Sequence, residues 1–137
     1  MWIVIFSVSA THALRAMAWL AAHGGDDAIL GRDLAKKLKV PADYLSKVLA
    51  TLARAGLLTA SRGVNGGYRL ARPAARITLM EVVLPFEGAR ARPGCLLHPE
   101  KPCDSVGCGA HDSWGKVKTA YAHFLDKTTV EQIKGGA

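Results

Sequence analysis

The residue pattern predicts a mostly α-helical chain with one small β-wing: a winged helix-turn-helix followed by a long C-terminal helix. Three observations lead there. Two short amphipathic helical patterns follow one another across residues 30–55, and a glycine-rich hairpin pattern, LLTASRGVNGGYRLAR, comes directly after them. Further on, Trp114, Val117, Tyr121 and Phe124 recur at 3-4-3 spacing, the seam of a helix that packs along another helix.

The elements can be justified in order. ALRAMAWLAA, from Ala13 to Ala22, is rich in good helix formers and puts Leu14, Met17 and Leu20/Ala21 on one face. HGGDDA interrupts it as a loop. Leu30, Leu34 and Leu38 then repeat every four residues, a helix of about two turns. Pro41 is suited to the first turn of the next helix, where its missing N–H costs nothing. That helix carries Leu45, Val48, Leu49 and Leu52 at i, i+3, i+4 and i+7, and Gly56 stands just past its end as a C-cap. Tyr44, Ser46, Lys47 and Thr51 fall off the apolar stripe. In the hairpin, Arg62 occupies the tip, and Gly63, Gly66 and Gly67 permit a tight turn and close approach to a phosphate or groove wall. ITLMEVVLPFEG is a further, mostly apolar helix expected to stop at Pro85 and Gly88. The expected organisation is a DNA-binding unit over 1–88, a cysteine-containing loop over 89–112, and a dimerisation helix with its tail over 113–137.

Charge supports a nucleic-acid partner. Residues 1–77 hold 11 Lys/Arg against 4 Asp/Glu, while residues 78–137 hold 7 of each. The whole excess of +7 therefore sits in the half that carries the helix-turn-helix and wing. An arginine at a wing tip suits a narrow, electronegative minor groove. Lys36, Lys37 and Arg69 are candidates for contacts to the phosphate backbone, which position a protein without specifying sequence. A phosphate-binding glycine loop is excluded by order, since the glycines join strand to strand and no Gly-Lys-Ser/Thr follows. No nucleophile with a paired base is evident, so no catalytic residue is expected.

All three cysteines lie in CLLHPEKPCDSVGCGAH, residues 95–111, among prolines and glycines that disfavour a helix. The count is odd and the apolar start, MWIVIFSVSA, has no positive n-region. It is read as mature protein rather than a targeting peptide, and no stretch approaches the ~20 apolar residues of a membrane span. A cytoplasmic location with reduced thiols is expected, where clustered cysteines hold metal or do redox work. Cys95, Cys103 and Cys108 offer thiolates, soft ligands for an iron–sulfur cluster or for zinc, and imidazole can complete either set. A thiol switch that uses two of the cysteines is the third reading.

Nearly the whole chain resembles one family: the winged-helix regulators of the iron–sulfur-cluster regulator and nitric-oxide-sensitive repressor type (IscR/NsrR type). ALRAMAWLA is similar to the family's opening helix, VPADYLSKVLATLARAGLL to its recognition helix, and SRGVNGGYRLAR to its wing. ITLMEVVLPFEG and FLDKTTVEQI resemble the segments that flank its sensory loop. The resemblance implies a homodimeric transcriptional regulator, a repressor, on a pseudo-palindromic operator. Tyr44, Ser46 and Lys47 would meet bases and phosphates, Arg62 would be the wing arginine, and the helix around Trp114–Phe124 would supply the dimer interface. It also implies an iron–sulfur cluster on Cys95, Cys103, Cys108 and His111, with His111 as fourth ligand because C-x-x-H followed by Trp114 is similar to the iron–sulfur-cluster regulator's arrangement around a two-iron (2Fe-2S) cluster. His98 and His12 are alternative fourth ligands. The C-x7-C-x4-C spacing departs from the family's more even one, and Thr11 stands where the nitric-oxide-sensitive members recruit a carboxylate. A zinc-held clip therefore stays open, as does, more distantly, a small iron–sulfur or zinc module that binds a protein partner.

Overall fold

The computed structural model describes residues 5–25, 27–99, 101 and 108–136. The chain runs α1 (Val8–His23), α2 (Gly31–Leu38), α3 (Ala42–Arg54), β1 (Leu58–Ser61), β2 (Gly67–Leu70), α4 (Leu79–Glu87), α5 (His111–Lys127) and α6 (Val130–Ile133). This is the expected class: helices with a two-stranded antiparallel wing. No helix of the described residues is long and apolar enough to cross a membrane.

The first helix opens at Val8 rather than Ala13, because Ser7 caps it by accepting the Ala10 N–H at 3.1 Å. Its buried face also differs from the expected one. Ala10, Ala13, Ala16 and Met17 are fully enclosed, whereas Leu14 and Ala21 only lean on the core. Methyl side chains let the backbone of α1 run close to its neighbours, so α3, α4 and α6 all pack around it.

Between α2 and α3, Lys39 takes a left-handed conformation (φ 60°) and Pro41 stands at the N-cap of α3, one position before the expected first helical residue. The four stripe residues Leu45, Val48, Leu49 and Leu52 are all buried. A third segment joins the wing: Ile29 and Tyr68 exchange backbone bonds at 3.0 and 2.8 Å, tying β2 to the chain just before α2.

A capping box starts α4. Thr78 accepts the Glu81 N–H, and the Glu81 carboxylate takes the Thr78 N–H at 2.9 Å and Arg72 at 2.8 Å. Burial pushes the Glu81 carboxyl up, but Arg72 and the Thr78 backbone hold it below its ordinary value. The expected stop at Pro85 is corrected: α4 continues to Glu87 and ends at Gly88, which has a φ of 57°. Pro85 lies on the exposed side of the last turn, where water can meet the carbonyl that loses its partner.

The C-terminal segment shares the same core. Leu125 and Val130 are fully buried with the residues of α1 and α4, and Leu79 N–H to Thr128 O and Val130 N–H to Ile77 O, both 2.9 Å, join α6 to the start of α4. Of the apolar start, Phe6 packs on Tyr121 of α5 with ring centroids 6.2 Å apart, while Trp2–Val4 lie outside the described residues.

One buried charge pins three elements together. Glu87, only 7 % exposed, accepts the Ser7 N–H at 2.6 Å and faces Arg90 at 3.5 Å. Burial, and then the Glu87 carboxylate, push the Tyr121 hydroxyl up, which places Tyr121 in the same neighbourhood. Glu87→Ala strands the Ser7 N–H and should cost about 2–3 kcal/mol in urea unfolding. Glu87→Gln keeps an acceptor and should lose clearly less; equal losses would mean that the hydrogen bond contributes little.

Candidate functional site

The basic half gathers its exposed side chains on one set of elements. Lys36 and Lys37 are exposed in the last turn of α2, and Ser46 and Lys47 are exposed on α3. Arg62 and Gly63 are exposed at the wing tip, and Arg69 is exposed on β2 opposite Thr59. The first turn of α3, the start of α2 and the wing enclose a cleft of ≈440 Å³ whose walls include Gly31, Arg32, Ala42, Asp43, Ser46 and Tyr68. A helix N-terminus and a hairpin beside one cleft form a surface that can follow a duplex, with the helix in the major groove and the hairpin alongside. Arg32 and Asp43 belong to this surface and were not among the expected residues. Arg32 is part of the basic excess that points here, whereas nothing in the sequence marks Asp43.

Three expected residues are placed differently. Tyr44 is half-buried: its hydroxyl pairs with Ser9 Oγ at 2.9 Å and its ring meets the His12 ring edge-on at 5.4 Å, so it braces α3 against α1. Gly66 is buried in the turn, its N–H bonded to the Gly63 carbonyl at 2.9 Å. At Gly67, φ is 130° and a Cβ would run into the Ile29 carbonyl, so this glycine is what lets the 29–30 segment lie against the wing. Gly66 and Gly67 thus shape the hairpin.

The brace on the recognition helix contains a pH-sensitive group. Arg15 Nη2 donates to the Leu38 carbonyl at 2.7 Å, holding the turn between α2 and α3, and His12 lies one turn before it. The Nδ1 of His12 is buried without a hydrogen-bond partner among the described residues. Burial, then the charge of Arg15, lower the His12 pKa from 6.5. The folded state therefore favours neutral imidazole, and the unfolded chain takes up a proton first as pH falls. Stability should fall as pH drops below about 6.5, stop falling once the folded-state imidazole is itself protonated, and be unaffected by this group above that range. His12→Phe keeps the edge-on contact and should flatten that part of a stability–pH curve measured by thermal unfolding; an unchanged slope would place the proton uptake elsewhere. Within one chain, His12 faces the recognition helix rather than the cysteine loop.

The start of the loop is anchored to α5 at two points, one near each end of that helix. Arg92 makes a two-pronged pair with Asp126 at 2.9 and 3.2 Å, and the Trp114 indole N–H donates to the Gly94 carbonyl at 2.8 Å. The Gly94 and Cys95 N–H groups donate across the turn to the Pro99 and Lys101 carbonyls, at 3.2 and 2.9 Å. Cys95 is buried and Cys108 half-buried. His111 is the first residue of α5 rather than part of the loop, and its N–H bonds the Cys108 carbonyl at 3.1 Å. The Trp114–Gly94 bond thus brings the Cys95 peptide to the first turn of the helix that carries His111, with Cys108 just before it. Cys103 lies outside the described residues. Among the described residues alone, no group of three or more His, Cys, Asp or Glu side chains is close enough to hold a metal ion. Thiolate and imidazole are donor types that suit an iron–sulfur cluster or zinc, but the side chains of Cys95, Cys108 and His111 do not by themselves form such a site.

The expected dimer seam divides in two. Trp114 and Tyr121 turn toward their own chain, through Gly94 and Phe6 respectively. Val117 and Phe124 remain exposed, at 55 % and 49 %. Alongside them runs an open groove of ≈1110 Å³ with Gly115, Thr119, Ala120, His123, Phe124 and Gln132 in its walls.

Comparison with known proteins agrees with this architecture. A chain described as an HTH-type transcriptional regulator of Aquifex aeolicus is 30 % identical over 95 % of this chain and 91 % of its own length. Among solved structures, the global cysteine regulator CymR of B. subtilis matches with a TM-score of 0.82 and 24 % identity, over 100 % of this chain and 99 % of that one. The T. potens IscR structure matches with a TM-score of 0.74 and 25 % identity, over 100 % and 89 %. Residues 6–135 match the Rrf2 family, whose description is "Iron-dependent Transcriptional regulator". A basic winged helix, matched in sequence and fold to transcriptional regulators, leads to one conclusion: the chain belongs to the Rrf2 family of DNA-binding transcriptional regulators.

Proposed function

We propose that this regulator is a cytoplasmic homodimeric repressor whose affinity for a pseudo-palindromic operator is set at the cysteine loop, through an iron–sulfur cluster of the two-iron type. The observation that carries the reading is the double anchoring of the loop to α5 by Arg92–Asp126 and Trp114–Gly94. Cys95, Cys103, Cys108 and His111 would hold the cluster, which supplies a one-electron redox centre and a set of bonds that nitric oxide or oxidant can break. The family's iron-dependent description and the similarity to an IscR structure support it. A change in how Cys95 and Cys108 are held strains the Gly94–Trp114 bond and the Cys108–His111 turn at the start of α5. If Val117 and Phe124 of two copies face one another, the tilt of α5 sets the separation of the two recognition helices and so their fit to successive major grooves.

Ser46 and Lys47 would enter the major groove, Arg62 the minor groove, and Lys36, Lys37 and Arg69 would take phosphates. Tyr44 would act by holding α3 in place. The deciding experiment is anaerobic purification with an absorption spectrum and iron, sulfide and zinc analysis. Visible absorption with about two irons and two sulfides per chain is the expected result. A colourless protein with one zinc per chain would turn the same donors into a structural clip. A metal-free protein whose operator binding responds to oxidant would replace the cluster with a thiol switch.

A further inference from the structure

The apex of the wing carries a residue that the fold does not use. The Gly66 N–H to Gly63 O bond, 2.9 Å, closes a four-residue turn with Val64 and Asn65 at its centre. Gly63 and Asn65 have φ of 89° and 64°, the left-handed conformations such a tip needs. The ladder from Leu58↔Leu70 to Ser61↔Gly67 holds the turn at the end of a formed hairpin. On this apex Val64 is 94 % exposed, the most exposed large apolar side chain among the described residues. Valine is an unfavoured choice for a turn, where Asn, Asp, Ser or Gly serve better. Its neighbour Arg62 is exposed beside it.

From this geometry we infer that Val64 and Asn65 make the wing tip a reader of minor-groove chemistry that accepts A·T pairs and rejects G·C. The inference rests on the DNA-binding reading of the wing and adds what the tip selects. An A·T pair shows the minor groove only acceptors, adenine N3 and thymine O2, whereas a G·C pair adds the guanine 2-amino group, which stands up from the groove floor. The Asn65 amide can donate to either acceptor. It could also turn its carbonyl to meet guanine, so Asn65 alone would discriminate little. Val64 has no such choice: its two methyl groups need a floor with nothing protruding, and its β-branched side chain has few rotamers through which to escape. Arg62 draws the same tip toward the stronger negative potential of a narrow A·T-rich groove.

The test uses the full-length protein. Selection from a random duplex library identifies a bound sequence, and hydroxyl-radical protection locates the minor-groove step beneath the wing. Three duplexes then differ only at that step, carrying A·T, G·C or inosine·C; inosine lacks the 2-amino group but keeps the major-groove face of guanine. The expected result is equal affinity for A·T and inosine·C and about fivefold or greater weakening for G·C. Val64→Gly should remove that difference, and Val64→Thr, similar in shape, should keep it. Inosine·C binding as poorly as G·C, or full discrimination surviving Val64→Gly, would overturn the proposal. A library that enriches no sequence at any salt concentration would instead sink the DNA-binding reading on which it stands.

Discussion

Phe124→Asp is expected to convert the protein to a monomer and to lower operator affinity by at least about 100-fold. Phe124 and Val117 are the large apolar side chains that α5 leaves half-exposed, and a charge at position 124 would have to be desolvated without a partner when two copies meet. The loss on DNA is larger than the loss of one contact. A dimer binds its second half-site as an intramolecular event, and a monomer forfeits that gain at every operator. The substitution should leave the subunit folded, because the core of α5 is Leu125, with Tyr121 packed against it, and not Phe124. Sedimentation, thermal unfolding and fluorescence anisotropy on one sample separate these effects. A Phe124→Asp protein that remains dimeric would move the interface off this face.

Gly67→Ala is the second large effect. The φ of 130° is strained for any L side chain, and the added methyl would meet the Ile29 carbonyl, which is backbone and cannot swing aside. The chain must then break the Ile29–Tyr68 bridge or distort β2, for a cost of roughly 2–3 kcal/mol and a melting temperature lower by about 10 °C. Detaching the wing from the start of α2 also removes one wall of the cleft beside α3, so DNA binding should weaken in parallel. Gly63→Ala is the matched control: φ is also positive, at 89°, but the space around it is open. It should cost only the backbone strain, and equal destabilisation of the two variants would show that the contact with Ile29 contributes nothing.

These two cases mark where pattern reading succeeds and where it stops. The recognition helix was legible because one amphipathic stripe, Leu45, Val48, Leu49 and Leu52, does a single job and faces a single core. The wing was legible because glycines at a hairpin tip have few other uses. The glycine roles were not, since what Gly67 avoids is a carbonyl from a segment far away in sequence. Alanine's low hydrophobicity concealed the buried face of α1, whereas burial there follows from close helix approach. The spacing on α5 predicted a helix, which forms, but spacing does not say which side chains turn to their own chain, and Trp114 and Tyr121 do. At the cysteine loop, residue types suggest candidate donors, while the anchoring to α5 depends on Arg92–Asp126 and Trp114–Gly94, contacts that no local pattern encodes.

By itself, then, the sequence determined the order of elements, the basic face and the chemistry available at the loop. Those are properties of residue type and short-range periodicity, and they survive without knowledge of what packs against what. Tertiary structure alone decided that Glu87 is buried under the start of α1, that the Tyr44 hydroxyl pairs with Ser9 of α1, and that Val64 is almost fully exposed. Each of those outcomes is set by the meeting of segments distant in sequence, or by its absence, because burial and hydrogen-bond partnership belong to the packed chain and not to the residue.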